Sequence, residues 1–373
     1  MMRKETERWD TEWSGRDVVD DIAMRDFFNG RQFILKFFPW WGKAVEAGCG
    51  LGRYVFYLSA LGREIVGVDF SGESIRRAKH FAETNGLPSN LFDQADIDQL
   101  DFKENTFSYY ISLGVLEHFF QGPERALAEA FRVLAPGGIA IVTTPNKFSL
   151  SLLKGWLRRN IKRILLRDDI HGVTPSVTLN SDGSFFQYWY NASEIGSFIR
   201  KAGFRILEQD RIDLHFPLWE RAGTSSMERW LFSQQNLLNS LENSPLRMFG
   251  VNTVTVAVKP GKLMHCFCCG NLKDEEELLK SRLRIPVCVP CRSKHAAILR
   301  AYQGRTRSRY GADGDRPAHL SCAYCGVAFE ADPLFGVFGM DKYACTSCMN
   351  KPHVRGELSA LHVKLTWKPY LRG

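Results

Sequence analysis

From Lys43 to Thr144 short, almost uninterrupted apolar runs alternate with longer stretches in which apolar residues recur every three or four positions. Val45 to Ala47, Ile65 to Val68, a run closing at Asp96, a run leading into Ser112, and Ile139 to Thr144 read as strands buried on both faces. Glu73 to Asn85 reads as one of the helices between them, with Ser71 available just before its start. Such alternation predicts an α/β fold with a doubly wound, parallel sheet covered by helices on both sides. Beyond it, Asn191 to Ala202 reads as a further helix with Ser193 as its cap, and Phe204 to Gln209 and Asn252 to Val258 as closing strands. Lys259-Pro260-Gly261 then breaks the ladder and marks a boundary.

The pattern divides the chain as follows. Residues 1–40 form a helical lead-in whose Phe27, Phe28, Ile34, Leu35, Phe37 and Phe38 offer a packing face, with core packing preferred over a role above a ligand. Residues 41–259 form the sheet domain, interrupted by two insertions, 146–190 and 211–250. In the first, Leu150, Leu153, Leu157, Ile161 and Ile164 share a helical face opposite Lys154, Arg158, Arg159, Lys162, Arg163 and Arg167. This basic amphipathic helix suits a lid, with docking on anionic lipid as the sharper alternative. Phe185, Phe186, Tyr188, Trp189 and Tyr190 follow, as pocket lining or as core. The second insertion carries Met227, Trp230, Leu231, Leu237, Leu238 and Leu241 on an expected helix.

Candidate chemistry sits at the first turn. Gly48, Gly50 and Gly52 let the backbone bend sharply where a Cβ would repel a ligand, and Asp69 ends the next strand, where a doubly wound fold presents a carboxylate to ribose hydroxyls. The alternative for Asp69 and Asp96 is capping of the helix or turn that comes next. A dinucleotide fingerprint would need a glycine three residues after the second, and Arg53 stands there.

The run Glu46-Ala47-Gly48-Cys49-Gly50-Leu51-Gly52 resembles motif I of class I S-adenosylmethionine-dependent methyltransferases. Three further segments resemble that family in the same order: Gln94-Ala95-Asp96-Ile97, Ser112-Leu113-Gly114-Val115-Leu116-Glu117-His118, and Leu134-Ala135-Pro136-Gly137-Gly138. The likeness covers residues 40 to 258 and is greatest to the ubiquinone and menaquinone biosynthesis branch and related small-molecule enzymes. It implies a Rossmann-like sheet of seven strands with an antiparallel one near its edge. It also implies a cofactor, S-adenosylmethionine, held by Glu46 and the amides of Gly48, Gly50 and Gly52 at its amino acid tail, by Asp69 at its ribose, and by Asp96 at its adenine amine, with Leu113 lining the site. His118 takes the place of the family's histidine near the reactive end and is the first choice for a general base, with His171 second. A backbone-bonded histidine at a helix start is the plainer reading of His118.

Cysteine changes the picture of the remainder. Eight of the ten form four Cys-x-x-Cys pairs: Cys266 with Cys269, Cys288 with Cys291, Cys322 with Cys325, and Cys345 with Cys348. The repeated long spacing suits two tetrahedral thiolate zinc sites better than redox dithiols or an iron centre. We therefore expect two structural zinc ions in zinc-ribbon-like modules, 262–300 and 318–373, each built from two knuckles on a β-hairpin, with Cys268 a competitor for Cys266. A basic linker, 301–317, carries Arg305, Arg307 and Arg309 beside Tyr310 and is expected to be solvated, with nucleic-acid contact as the alternative. Chelation of such independent modules would unfold them and leave the sheet domain intact.

From residue 259 onward 19 Lys and Arg stand against 10 Asp and Glu, leaving 30 against 31 before it, so the basic excess belongs to the tail. The charged start and the lack of any membrane-length apolar run lead us to expect a cytoplasmic protein, at most peripheral to a membrane. The functional expectation is methyl transfer to a small-molecule, lipid-linked or glycan acceptor, at a hydroxyl, with the zinc modules recruiting a protein partner. The alternative is a nucleic-acid or protein methyltransferase whose basic tail holds the polymer. A scaffold that only senses the cofactor is disfavoured by the intact motif set. Exocyclic amine chemistry on bases is disfavoured too, because Thr144-Pro145-Asn146 follows the wrong strand for it.

Overall fold

Seven strands form the central sheet of the computed structural model, which describes residues 2–23, 30–60, 63–150, 152, 177–180, 182–214, 235–279 and 283–307, plus four short strands beyond 319. The strands are β1 (Ala44–Ala47), β2 (Ile65–Asp69), β3 (Phe92–Gln94), β4 (Phe107–Leu113), β5 (Leu134–Pro145), β8 (Arg205–Ile212) and β9 (Asn252–Val258), in the order β3-β2-β1-β4-β5-β9-β8. All neighbours from β3 to β5 are parallel, and β9 runs antiparallel to both β5 and β8. The sequence of these strands predicts this sheet because Val45, Val68, Tyr110, Ile141 and Val256 are all buried, as burial on both faces demands. A minor hairpin, β6 (Val177–Leu179) with β7 (Phe185–Tyr188), belongs to the first insertion.

Local chemistry sets the element ends. Helix α5 (Gly72–Thr84) begins where the Ser71 hydroxyl accepts from the Ser74 amide, so Ser71 and not Asp69 is its cap. Helix α7 (Ala192–Lys201) begins two residues earlier than a cap at Ser193 would allow. Asn191 and Glu194 form a reciprocal capping box there, satisfying two amides at once. Strand β3 stops at Gln94, two residues short of the sequence-based end. Asp96 Oδ1 accepts from the Asp98 amide at 3.2 Å, so Asp96 caps the turn that follows, as its alternative reading expected, and no helix comes next. The lead-in supplies α1 (Met2–Ser14), α2 (Val18–Ala23) and α3 (Gly30–Lys36), and Ile34, Leu35, Phe37 and Phe38 are core residues as expected.

Beyond β9 a short hairpin, β10 (Leu263–His265) with β11 (Leu272–Asp274), carries the first cysteine pair. The second pair lies at the start of a helix, Val289–Lys294, so the module is a hairpin knuckle facing a helix terminus and not two hairpin knuckles. This module shares one apolar cluster with the sheet: Phe267, Ile285, Leu299 and Tyr302 pack with Phe33, Phe37 and Tyr109. It sits at the amino ends of the parallel strands. Gly137, just inside β5, has φ +86°, and a Cβ on it would lie 2.5 Å from the His265 carbonyl oxygen, so the turn resembling a methyltransferase motif also seats the hairpin. The Trp40 amide, shortly before β1, donates to the Phe267 carbonyl at 2.9 Å.

A buried carboxylate closes the seam. Glu208 on β8 accepts from the Thr306 amide through Oε1 at 2.6 Å, and its Oε2 faces Lys36 Nζ at 3.8 Å and an Arg284 nitrogen at 3.4 Å. Lys36 also donates to the Gly304 carbonyl and the Thr306 hydroxyl, at 3.0 and 3.1 Å. The described part of the basic stretch, 301–307, is thus held against the sheet, with Tyr302 and Thr306 buried. Phe27, Phe28, the expected amphipathic helix from Leu153 onward, His171, Met227, Trp230, Leu231, and the cysteines at 322, 325, 345 and 348 lie outside the described residues, while Leu150 is exposed. Among the described residues no helix is long and apolar enough to cross a membrane.

Candidate functional site

At the carboxyl ends of β1, β2 and β4 the sheet opens into a cavity of about 1250 Å³. Small-molecule sites commonly occupy roughly 300–1,000 Å³, so this space admits two reactants. Six of the eight residues singled out beforehand line it: Glu46, Gly48, Asp69, Asp96, Leu113 and His118. The other two, Gly50 and Gly52, shape its wall. Gly52 has φ +84°, and a Cβ on it would come within 2.4 Å of the Phe92 ring. Gly50 has φ +53°, and its amide donates to Asp69 Oδ2 at 2.8 Å. Asp69 Oδ1 accepts from the Ser71 amide at 2.9 Å, so one carboxylate ties the glycine turn to the start of α5. Burial raises the Asp69 pKa, with the two amides working against that shift.

Two carboxyl groups here lack partners. Glu46 on β1 is buried, its Oε2 makes no hydrogen bond, and burial pushes its pKa up to about 8. Glu117, in the turn after β4, is equally buried with an unbonded Oε2, and burial again raises it to about 8. Buried polar atoms normally find partners, so an orphaned acceptor facing a cavity marks a place for a ligand donor. Glu46 faces the cavity; Glu117 lies behind its wall.

His118 lies at the other end of the space. Its Nδ1 is 2.9 Å from the Phe186 carbonyl oxygen, which can only accept, so Nδ1 carries a proton and the neutral ring keeps a free Nε2 lone pair. Trp9 and Phe186 pack edge-on against the imidazole at 4.8 and 5.0 Å. Burial drops the His118 pKa to about 4; the Phe186 bond opposes this and Arg8 adds to it. The ring is neutral at physiological pH. Helix α1 was not expected at the site, yet its Arg8, Trp9 and Trp13 roof the cavity. Asp10 holds the roof down, accepting from the Ser71 hydroxyl at 2.6 Å. A signal existed in the Trp9/Trp13 pair at i, i+4 with Arg8 beside it, but that spacing equally suits a helix on any apolar surface.

Cys266, Cys269, Cys288 and Cys291 converge, with all four sulfurs within 4.8 Å of one another. Cys269 and Cys288 sulfurs stand 3.9 Å apart, and the Cys288 amide donates to Cys266 Sγ at 3.3 Å. Zinc–sulfur bonds of about 2.3 Å in a tetrahedron place sulfurs about 3.8 Å apart, so the donor set fits zinc with every position filled by thiolate. Cys268 is buried outside this quartet.

Comparison with known proteins agrees with the sheet. Residues 45–142 match the methyltransferase domain family. The chain is 34% identical over 106 residues to an S-adenosyl-L-methionine-dependent Diels-Alderase of Talaromyces variabilis, covering 27% of this chain and 35% of that protein. It is 35% identical over 97 residues to the sterol 24-C-methyltransferase of Pneumocystis carinii, 26% of each. To the ubiquinone biosynthesis O-methyltransferase of Maricaulis maris it is 28% identical over 130 residues, 32% of this chain and 51% of that one. The chain thus spans between about a quarter and a half of the length of these relatives. Residues 45–142, which match the methyltransferase domain family, supply almost all of strands β1 to β5 of the seven-stranded sheet.

Proposed function

We propose that the protein is an S-adenosylmethionine-dependent methyltransferase acting on a hydroxyl of a small-molecule or lipid- or glycan-linked acceptor, with a structural zinc in its first cysteine module. The observation that carries this reading is the Asp69 carboxylate pinning the Gly50 amide at the mouth of a cavity that also holds Glu46, Asp96 and His118.

Each chain group has a role that follows from its surroundings. Glu46, with an unbonded oxygen and a raised pKa, gains a partner when an ammonium group enters beside it and then ionises. Asp69 keeps spare lone pairs for ribose hydroxyls, and Asp96 accepts from an adenine amine. Bound S-adenosylmethionine supplies an electrophilic methyl group on a positively charged sulfur. His118 Nε2 takes the proton of the acceptor hydroxyl as its oxygen gains the methyl group, while α1 excludes water above. The first cysteine module lies at the opposite ends of the strands from the cavity, which weighs against its holding a polymer at the reacting centre; the alternative of a nucleic-acid or protein substrate therefore rests on the basic tail alone.

Calorimetry on the intact protein tests the reading. We expect S-adenosylmethionine and S-adenosylhomocysteine to bind at one site per chain, with Glu46→Gln weakening both. No heat with either ligand would overturn it. Metal analysis should return zinc, and the first module accounts for one ion per chain.

A further inference from the structure

Four arginines line the cavity, and three of them are already paired. Arg16 meets Glu12 at 2.5 Å, Arg53 meets Asp21 at 2.5 Å, and Arg125 meets Asp98 at 3.5 Å. Arg8 has no carboxylate partner among the described residues. Its one hydrogen bond is a long one, 3.5 Å, to the Phe185 carbonyl. Its guanidinium instead sits 5.0 Å from the Trp9 ring and 5.2 Å from the Phe186 ring, and these same two rings flank His118.

Resting on the methyltransferase reading, we propose that Arg8 anchors an anionic substituent of a planar acceptor whose ring lies against the cavity side of the aromatic cluster formed by Trp9, His118 and Phe186. A half-buried guanidinium held by aromatic faces keeps its fork of donors for a carboxylate, and aromatic rings favour a flat apolar body. The same anion balances the positive charge of Arg8, since Glu12, one turn along the helix, is already paired with Arg16. Position separates this site from the amino acid tail of the cofactor. Trp13, not Arg8, lies over the glycine turn, where a Cβ on Gly50 would meet its ring at 2.5 Å, and Arg8 is about 7.5 Å further along the helix. Arg8 thus acts as a specificity residue for the acceptor.

The test uses the full-length protein loaded with S-adenosylhomocysteine and two probes of equal shape, 4-hydroxybenzoate and 4-hydroxybenzamide, titrated by tryptophan fluorescence. We expect the acid to bind about tenfold more tightly than the amide. Arg8→Met should erase that difference and leave S-adenosylhomocysteine affinity unchanged, while Arg8→Lys, which keeps the charge, should retain part of it. Equal affinity for the two probes, or binding of neither to the loaded wild-type protein, overturns the proposal and leaves the methyltransferase reading standing. Loss of S-adenosylhomocysteine binding in Arg8→Met would also overturn it, placing Arg8 at the cofactor tail. Failure of the wild-type protein to bind S-adenosylhomocysteine at all would instead sink the methyltransferase reading.

Discussion

The sheet buries carboxylates near both of its ends and surrounds them differently. At the carboxyl ends, Glu46 and Glu117 each keep an oxygen without a partner, and burial raises both to about 8. At the seam with the cysteine module, Glu208 is as deeply buried and its Oε2 likewise makes no hydrogen bond, but its Oε1 accepts from the Thr306 amide and two cations face the Oε2 at 3.4 and 3.8 Å. An unpaired buried acceptor costs stability and is retained where a ligand will complete it; a paired one holds elements together. The contrast between Glu46, which faces the cavity, and Glu208, which faces cations of its own chain, separates the part of the molecule that waits for a ligand from the part that is finished on folding.

The largest test of that division is metal removal. Structural zinc contributes about 10 kcal/mol or more in small zinc domains, comparable to the roughly 5–15 kcal/mol that holds an ordinary domain folded. Because the module shares its core with the sheet, Cys288→Ser or chelation should lower the melting temperature of the whole domain and weaken S-adenosylhomocysteine binding, read by calorimetry. Two separate transitions with unchanged affinity would show the module to be independent, as the sequence pattern suggested.

Next comes the seam itself. Glu208→Ala strips one partner from a buried pair and should cost about 3–5 kcal/mol in urea unfolding, with cofactor affinity of the folded fraction unaltered. A loss below about 1 kcal/mol would remove Glu208 from the finished half.

On the waiting side, His118→Ala should lower kcat about a hundredfold if Nε2 takes the acceptor proton. With its pKa at about 4, the wild-type profile should lack the usual histidine limb near 6.5. An inflection at that pH would contradict the buried, neutral ring. Asp69→Asn turns a donor toward the Gly50 or Ser71 amide and should weaken cofactor binding about tenfold to a hundredfold, since hydrogen bonds to charged groups are worth roughly 1.5–3 kcal/mol.

The smallest effect sharpens the comparison through pH. Glu46 is raised from 4.5 to about 8, so between those values the folded, ligand-free protein holds a proton that the unfolded chain has released. Its contribution is full below about 4.5 and is lost as pH rises toward 8. Glu46→Gln should flatten that decline by a few degrees of melting temperature, and saturating cofactor should do the same for the wild type. An unchanged slope in Glu46→Gln would place the missing partner elsewhere.

How much of this was legible beforehand varies by element. Strands β1, β2 and β5, helix α5, and the pairing of the glycine turn with Asp69 follow from local pattern, because strand ends and glycine turns are short-range features, whereas Glu46, Asp96 and His118 were placed at the site by the resemblance of their motifs. The cap at Asn191 was missed because Ser193 competes for it on propensity alone, and only the reciprocal bond to Glu194 decides. The roof of Arg8, Trp9 and Trp13 and the staple at Glu208 span separations of up to 270 residues, as between Lys36 and Thr306. Periodicity carries no information about such partners.

By itself, then, the amino-acid order determined the α/β alternation, the glycine turn with its carboxylate, and the sulfur quartet at Cys266, Cys269, Cys288 and Cys291, since each is written in spacings of a few residues or in a repeat. Tertiary structure alone decided that the first cysteine module is welded to the amino ends of the sheet, that helix α1 covers the cavity, and that Arg8 is left without an acid partner. Those outcomes depend on which distant surfaces bury each other, and apolar area has no address in the sequence until the chain has closed upon it.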